Sequence, residues 1–182
     1  MAHLLTFRIS AAVLLGSALL AGCCANDVCD CNDSEADAIR FRFSADTSSA
    51  TGKGFRLADV DTIVLERSPL PYNPAVRPET AVLYRRRAQV ADTLVLNNNA
   101  PFPQKANTKL NAYRYVVSYL THPPVKGVST PVLVLDSVKL SGNLEGNGCC
   151  TCYTNTRKAI YTGGNPVVRD LQPGDVVELT KP

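Results

Sequence analysis

Short stretches in which apolar and polar residues alternate recur along the chain, and they predict β-strands. Ile39, Phe41 and Phe43 alternate with Arg40 and Arg42, which places three apolar side chains on one face of a strand. Alternation, or a run rich in β-branched residues, recurs in segments 60–66, 81–86, 94–96, 113–119, 132–140, 151–162 and 175–180. About eight strands separated by turns predict an all-β fold, either an antiparallel β-sandwich or a small barrel.

Turn-forming residues separate these segments and support the same fold class. Prolines at 69, 71, 74 and 78 predict a crossing loop, because proline cannot donate a hydrogen bond to a sheet. Ser141-Gly142-Asn143 predicts the end of the longest apolar strand. Gln172-Pro173-Gly174-Asp175 predicts a type II turn, since proline fixes φ at the second position and glycine accepts a positive φ at the third.

The N-terminal segment has a different pattern, which predicts export. Residues 1–8 carry one arginine and no acid, residues 9–20 are almost entirely apolar, and Ala21-Gly22 supplies small residues for a signal peptidase. An apolar run of about 12 residues is too short to cross a bilayer, which needs roughly 20. Leu20-Ala21-Gly22-Cys23 resembles the lipobox of bacterial lipoproteins, in which the cysteine is acylated and becomes the new N-terminus. The resemblance implies that residues 1–22 are a lipoprotein signal peptide and that Cys23 is lipidated.

The same resemblance implies a location and a layout for the chain. Lipoproteins carry several acyl chains on this cysteine, and two or more chains hold a protein durably to a membrane. In the Gram-negative sorting pattern an Asp directly after the cysteine favours the inner membrane, so Cys24 favours the outer membrane, on either its periplasmic or its surface face. Residues 23–37 contain five acids and no base, and we expect them to form a lipidated acidic tether. Residues 38–182 are expected to form a single sandwich-like domain.

Composition narrows the classes of function. Removal of residues 1–22 leaves 160 residues (182 − 22) with 18 Lys and Arg (19 less Arg8) against 16 Asp and Glu, a balance that argues against nucleic-acid binding. Arg85-Arg86-Arg87 is the only basic run, and it is typical of a solvated strand edge. His122 is the only histidine after residue 22, and no catalytic motif accompanies it. We therefore predict a protein without enzymatic activity and without a cofactor.

The seven cysteines fall into two tight groups, one after residue 22 and one near residue 150. Assigning Cys23 to lipid leaves six (7 − 1), an even number, and the thiols of an exported protein tend to pair in an oxidising compartment. The grouping predicts that the N-terminal stretch is joined to the 149–152 segment, with a connectivity that the sequence leaves open. The predicted disulfide residues are Cys24, Cys29, Cys31, Cys149, Cys150 and Cys152.

A metal site is the alternative for four of these cysteines. Cys29-x-Cys31 and Cys150-x-Cys152 each place two thiols on one face of an extended chain, and four converging thiolates could bind Zn²⁺ or Cu⁺. Structural zinc sites usually use C-x₂₋₄-C, from which the C-x-C spacing of these two pairs departs. The spacing favours disulfides over metal handling by Cys29, Cys31, Cys150 and Cys152, and over a set of reactive thiols.

A stripe of tyrosines is the candidate binding surface. Tyr113, Tyr115 and Tyr119 share one strand face, where aromatic rings can stack on sugars or anchor a protein partner. The alternative is that these rings pack into the core, as tyrosines on a strand usually do. Tyr72, in the proline-rich loop, is a further aromatic that a partner could use. The sequence thus predicts a membrane-anchored envelope lipoprotein that serves as a structural or binding module for a protein or glycan, with metal handling or a carbohydrate-binding sandwich as alternatives.

Overall fold

The computed structural model describes residues 31, 33–46, 52–56, 59–86, 89, 91–106, 108–120, 129–147, 150–163 and 167–182. The predicted signal peptide, His122 and four of the cysteines lie outside these residues, namely Cys23, Cys24, Cys29 and Cys149.

The described residues form an all-β fold, as the alternation predicts. A single helical turn, α1 (Asp33–Ala36), precedes the first strand, and a 3₁₀ turn (Leu110–Ala112) precedes the fifth. The nine strands found in these residues are β1 (Ile39–Phe43), β2 (Thr62–Pro69), β3 (Glu79–Tyr84), β4 (Leu94–Leu96), β5 (Tyr113–Leu120), β6 (Thr130–Asn147), β7 (Cys150–Thr162), β8 (Val167–Leu171) and β9 (Val176–Leu179). Helices with the length and apolar character needed to span a bilayer are absent from the described part of the chain.

Two open sheets pack against each other, which confirms the sandwich rather than the barrel. The smaller sheet has the strand order β4-β1-β9, and the larger has the order β3-β2-β5-β6-β7-β8. The sequence predicted antiparallel pairing, and this is wrong for one pair: β1 and β9 run parallel, with Phe41 opposite Val177. Parallel neighbours need a long connection between them, and here all of the intervening strands provide it.

The core lies between the sheets and is built from the inward faces of the alternating strands. Ile39, Phe41 and Phe43 of β1 are fully buried, as their spacing predicts. Phe43 meets Tyr119 of the larger sheet, with ring centroids 6.3 Å apart. Phe55, from the segment between β1 and β2, packs edge-on against both rings. The aromatic side chains thus join the two layers directly.

The strands at the C-terminal side differ from their predicted limits. β6 does not end at Ser141-Gly142-Asn143 but continues to Asn147. The reason is that β7 pairs with residues 135–147 of β6, through a register shift between Ser141 and Gly142. β8 was not predicted, since its two valines are followed by Arg169 and Asp170 and show no alternation. The predicted type II turn between β8 and β9 is confirmed: Gly174 has φ 89°, and the Asp175 N–H donates to the Gln172 carbonyl at 3.1 Å.

Candidate functional site

A disulfide bond joins the segment before α1 to β7. Cys31 is bonded to Cys152, 121 residues later, with their Cα atoms 5.3 Å apart. Cys150 is also disulfide-bonded. Cys150 and Cys152 both belong to β7, where residues two apart share a face. The bridge between Cys31 and Cys152, here called the cystine, therefore fixes the segment before α1 to the first half of β7.

The metal alternative requires cysteines in the thiolate form. Cys31 and Cys152 are bonded to each other in this structure, so their sulfurs are not available as thiolates. Among the described residues, no group of three or more His, Cys, Asp or Glu side chains is arranged to hold a metal ion. Cys29, the remaining member of the first C-x-C pair, lies outside the described residues.

A cleft of about 510 Å³ lies beside the cystine. α1, β1, the first half of β7, the end of β8 and the turn before β9 all contribute to it. Its lining residues are Cys31, Glu35, Ala36, Arg40, Cys152, Tyr153, Thr154, Asn155, Thr156, Arg157, Lys158, Leu171, Pro173 and Gly174. Ligand sites in proteins are typically concave surfaces of this size with apolar walls and a few charged groups. This cleft is therefore the candidate functional site.

Asp37 is the polar centre that holds α1 against the sandwich. Its carboxylate is only 1% exposed. It accepts hydrogen bonds from Asn98 Nδ2 at 3.0 Å and from Asn155 Nδ2 at 2.9 Å, and Lys109 Nζ lies 3.4 Å away. Residues 33–37 were predicted to belong to the tether; the structure gives Asp33–Ala36 a helical turn, and its buried carboxylate makes Asp37 part of the folded body.

The cations of the cleft already have partners within the protein. Arg40 is ion-paired with Glu35, and Arg157 donates two hydrogen bonds of 2.9 Å to Asp170. The Arg157 guanidinium holds the pKa of Asp170 below its usual value. The cleft is therefore a surface of paired charges rather than a bare anion site.

Lys158 is the cation that lies deepest. Its side chain is buried, and its Nζ donates to the Ala38 carbonyl. Burial lowers the pKa of Lys158 because it disfavours the charged ammonium; Asp37 opposes this effect and Arg40 adds to it. Lys158 and Asp37 thus form a polar layer between α1 and β7.

Tyr153 depends on a glycine in the facing strand. A Cβ atom placed on Gly142 would lie 2.5 Å from Tyr153 Cζ, so only glycine lets this ring lie against β6. Lys109 Nζ lies 3.8 Å from the centroid of the same ring. Burial, and secondarily the charge of Asp37, raises the pKa of the Tyr153 hydroxyl. The aromatic part of the cleft is therefore held by neighbours from three separate segments.

The predicted tyrosine surface is not a surface. Tyr113, Tyr115 and Tyr119 do share a face, but that face points into the core, and all three side chains are buried. The Tyr115 hydroxyl donates to the Leu110 carbonyl at 3.1 Å, and burial raises its pKa well above the usual value. The binding role predicted for these three residues is wrong, because the smaller sheet and its flanking segments cover the face on which they lie. Tyr72, by contrast, is 51% exposed, and its ring stacks on the Arg114 guanidinium.

Arg67 is an unpredicted buried cation in the same core. Its side chain is 4% exposed and lies between the rings of Phe102 and Tyr113, at 4.7 and 4.6 Å from their centroids. It donates to Glu79 Oε2 at 2.9 Å and to the Pro103 carbonyl at 3.0 Å. A signal for it existed in the sequence: Arg67 continues the period of two set by Ile63 and Leu65, which places it on the inward face.

Asp37 and Lys158 carried no such signal. The amide partners of Asp37 are 61 and 118 residues away along the chain. Lys158 follows Arg157 in a polar stretch, where nothing distinguishes the buried cation from the exposed one. These residues are brought together only by the pairing of distant strands.

Comparison of the chain with protein-family models, with curated proteins and with solved structures finds no match. The evidence for function therefore comes from the chain's own residues.

Proposed function

We propose that this protein is a lipid-anchored lipoprotein of the bacterial envelope, in which the disulfide-stapled sandwich is a binding module for an envelope protein. The charged start, the short apolar run and the small residues before Cys23 support the anchor. The observation that carries the proposal is the cystine, because it ties the sandwich to a residue that closely follows the proposed lipidation site.

The position of Cys31 limits how far the module can lie from the membrane. Cys31 follows Cys23 by eight positions along the chain (31 − 23). A chain of this length spans at most roughly 26–29 Å when fully extended. Because Cys31 is bonded to β7, lipid on Cys23 would hold the cleft near the bilayer surface. A partner in or on the same membrane would then be within reach of the cleft.

The chemistry of the cleft favours a protein surface as its partner. Leu171, Pro173 and the cystine supply apolar contact, and the ion pairs of Arg40 and Arg157 offer polar groups at fixed positions. Protein interfaces combine apolar contact with polar groups in this way. We assign the cleft a binding role and no catalytic step.

The anchor is tested by variants of two adjacent cysteines. Cys23→Ser should leave the protein soluble and with unchanged disulfides, whereas Cys24→Ser should stay in the membrane fraction. Mass spectrometry of the mature N-terminal peptide should find the acyl chains on Cys23. Cys24→Asp should move the protein from the outer to the inner membrane. A membrane-bound Cys23→Ser protein, or a mature chain that keeps residues 1–22, would overturn the proposal.

The binding role is tested separately in intact cells. A photo-crosslinking amino acid at Thr156, which lines the cleft, should give a discrete adduct with one envelope protein. The same amino acid at Thr180, which is exposed but does not line the cleft, is the matched control and should give none. Equal adducts at both positions, or none at Thr156, would remove the cleft from the proposal and leave the anchor untouched.

A further inference from the structure

One strand edge of the sandwich lacks, at the residues that point to its open side, the features that usually prevent edge-to-edge pairing. Such features are short length, charged side chains, proline and bulges. β4 has three residues, β9 presents Glu178 paired with Arg42, and β8 presents Asp170 paired with Arg157. β3 is the remaining edge, and within the described residues it pairs with β2 alone.

The exposed side of β3 is regular and apolar. Its six residues pair with β2 without any register shift. Thr80, Val82 and Tyr84 alternate outward, and the latter two are 46% and 82% exposed. These residue types have high β-propensity and none is charged. The strand therefore presents a surface suited to another strand.

The hydrogen bonds of β2 show which backbone groups of β3 point to the open edge. The Arg85 N–H donates to the Asp61 carbonyl at 2.8 Å, on the β2 side. Backbone groups alternate in direction along an antiparallel strand, so residues 79, 81 and 83 also point to β2. The N–H and C=O groups of Thr80, Val82 and Tyr84 consequently point away from the sheet.

This alternation in the direction of the backbone groups restricts how two copies of β3 could pair. Two opposite residues exchange hydrogen bonds only if the backbone N–H and C=O groups of both point to the open edge. Residues 80, 82 and 84 of one copy must therefore lie opposite residues 80, 82 and 84 of the other. The antiparallel register that uses all three sets Val82 opposite Val82 and Thr80 opposite Tyr84. Each of these pairs is of a type that stabilises neighbouring strands.

The charges at the ends of β3 favour the antiparallel arrangement of two copies. Glu79 lies at its start and Arg85 directly after its end. In the antiparallel register each Glu79 lies opposite the Arg85 of the other copy, whereas parallel pairing would set like charges side by side. Within its own chain, Arg85 Nη1 lies 4.0 Å from Asp92 Oδ2, and Arg85 Nε has no hydrogen-bond partner among the described residues.

We propose that two copies of this chain pair through β3 in this antiparallel register, with Val82 on the two-fold axis and the larger sheets joined into one of twelve strands (2 × 6). β3 and β7 are four strands apart in the sheet order, or about 19 Å at 4.8 Å per strand. Pairing at β3 therefore leaves the cleft open, and it does not depend on the function proposed for the cleft.

A charge-swap at Val82 tests the pairing and its register together. Because Val82 faces itself, Val82→Lys and Val82→Glu each place like charges in contact and should weaken the dimer by roughly a hundredfold or more. A mixture of the two variants should restore it, since lysine then faces glutamate. Sedimentation velocity of the full-length chain in a mild detergent measures all three samples against the unsubstituted protein.

The matched control is Leu144→Lys, which removes an exposed apolar side chain from the β6–β7 hairpin, far from β3. It should leave the dimer intact, and circular dichroism should show that all variants are folded. A monomeric unsubstituted protein, a dimer that survives Val82→Lys, or a mixture that stays monomeric would each overturn the proposal.

Discussion

Removal of the Asp37 carboxylate should loosen the folded body at the point where α1 meets the sandwich. In Asp37→Ala, the side-chain amides of Asn98 and Asn155 lose their shared acceptor. Lys158 also loses the one anion that favours its charged form. The variant therefore leaves two amide donors without their acceptor, and it leaves the buried Lys158 ammonium with the Ala38 carbonyl but without the Asp37 carboxylate.

The magnitude follows from these contacts. A hydrogen bond to a charged group contributes about 1.5–3 kcal/mol, and two of them are lost. Lys109 is 44% exposed, so its ion pair with Asp37 adds little. Removing one partner of a buried charged pair generally lowers the free energy of unfolding by about 3–5 kcal/mol. We expect Asp37→Ala to lower the free energy of unfolding by about 3–5 kcal/mol.

Urea denaturation followed by circular dichroism measures this loss. Asp136→Ala is the matched control: Asp136 is 46% exposed and pairs with Arg114 at 3.0 Å, so its removal should cost about 1 kcal/mol or less. Hydrogen exchange should also quicken at residues 35–40 in Asp37→Ala and not in the control. A loss below about 1 kcal/mol for Asp37→Ala, or one equal to that of the control, would refute the idea that this carboxylate organises the site.

Three further predictions concern the same side of the molecule. Removing the cystine in a Cys31→Ser/Cys152→Ser double variant should lower the free energy of unfolding by up to about 5 kcal/mol, the chain-entropy value for a closed loop of 121 residues. An unchanged urea midpoint would contradict it. The pKa of Lys158 is lowered in the folded protein, so between that pKa and 10.5 the unfolded chain binds a proton that the folded protein has released. The free energy of unfolding should therefore rise as the pH approaches 10.5. Lys158→Met should abolish that rise in urea midpoints measured against pH, and an identical pH profile in the variant would rule it out. Gly142→Ala should cost about 1–3 kcal/mol, because its Cβ would lie 2.5 Å from both the Thr154 carbonyl oxygen and Tyr153 Cζ. Gly146→Ala, where a Cβ meets nothing within 4 Å, should be neutral. Similar urea midpoints for the two variants would count against this packing.

Periodicity predicted the strands well where one face alone is buried. The alternation at Ile39, Phe41 and Phe43 predicted β1 with its residues and its buried face, because every second side chain meets the core. The continuation of β6 beyond Ser141 could not be predicted in the same way. There the strand is stabilised by its ladder with β7 rather than by an apolar face, and a ladder depends on a distant partner.

The candidate site was predicted only in its cysteines. Spacing indicated that the two cysteine groups meet, since pairing thiols need only proximity and an oxidising compartment. The face shared by the tyrosines was also predicted, but whether it points to solvent depends on the second sheet, which no local pattern describes. Asp37 lies in an acidic stretch, where a solvated chain is the ordinary expectation, and its partners come from segments remote in sequence. Contacts between side chains from distant segments are thus the part of the site that hydrophobic periodicity cannot predict.

The parallel pairing of β1 with β9 has a consequence for how the protein is made. β9 forms one border of the smaller sheet, so β1 keeps an open side until residues 176–179 are available. Contacts between such remote parts of a chain form late in folding, because the loop between them must close first. For a chain that crosses a membrane from its N-terminus, as the proposed anchor requires, the smaller sheet can close only after residues 176–179 have crossed. Until then β1 would lack its β9 neighbour, and the smaller sheet would stay incomplete during the transfer of residues 44–175.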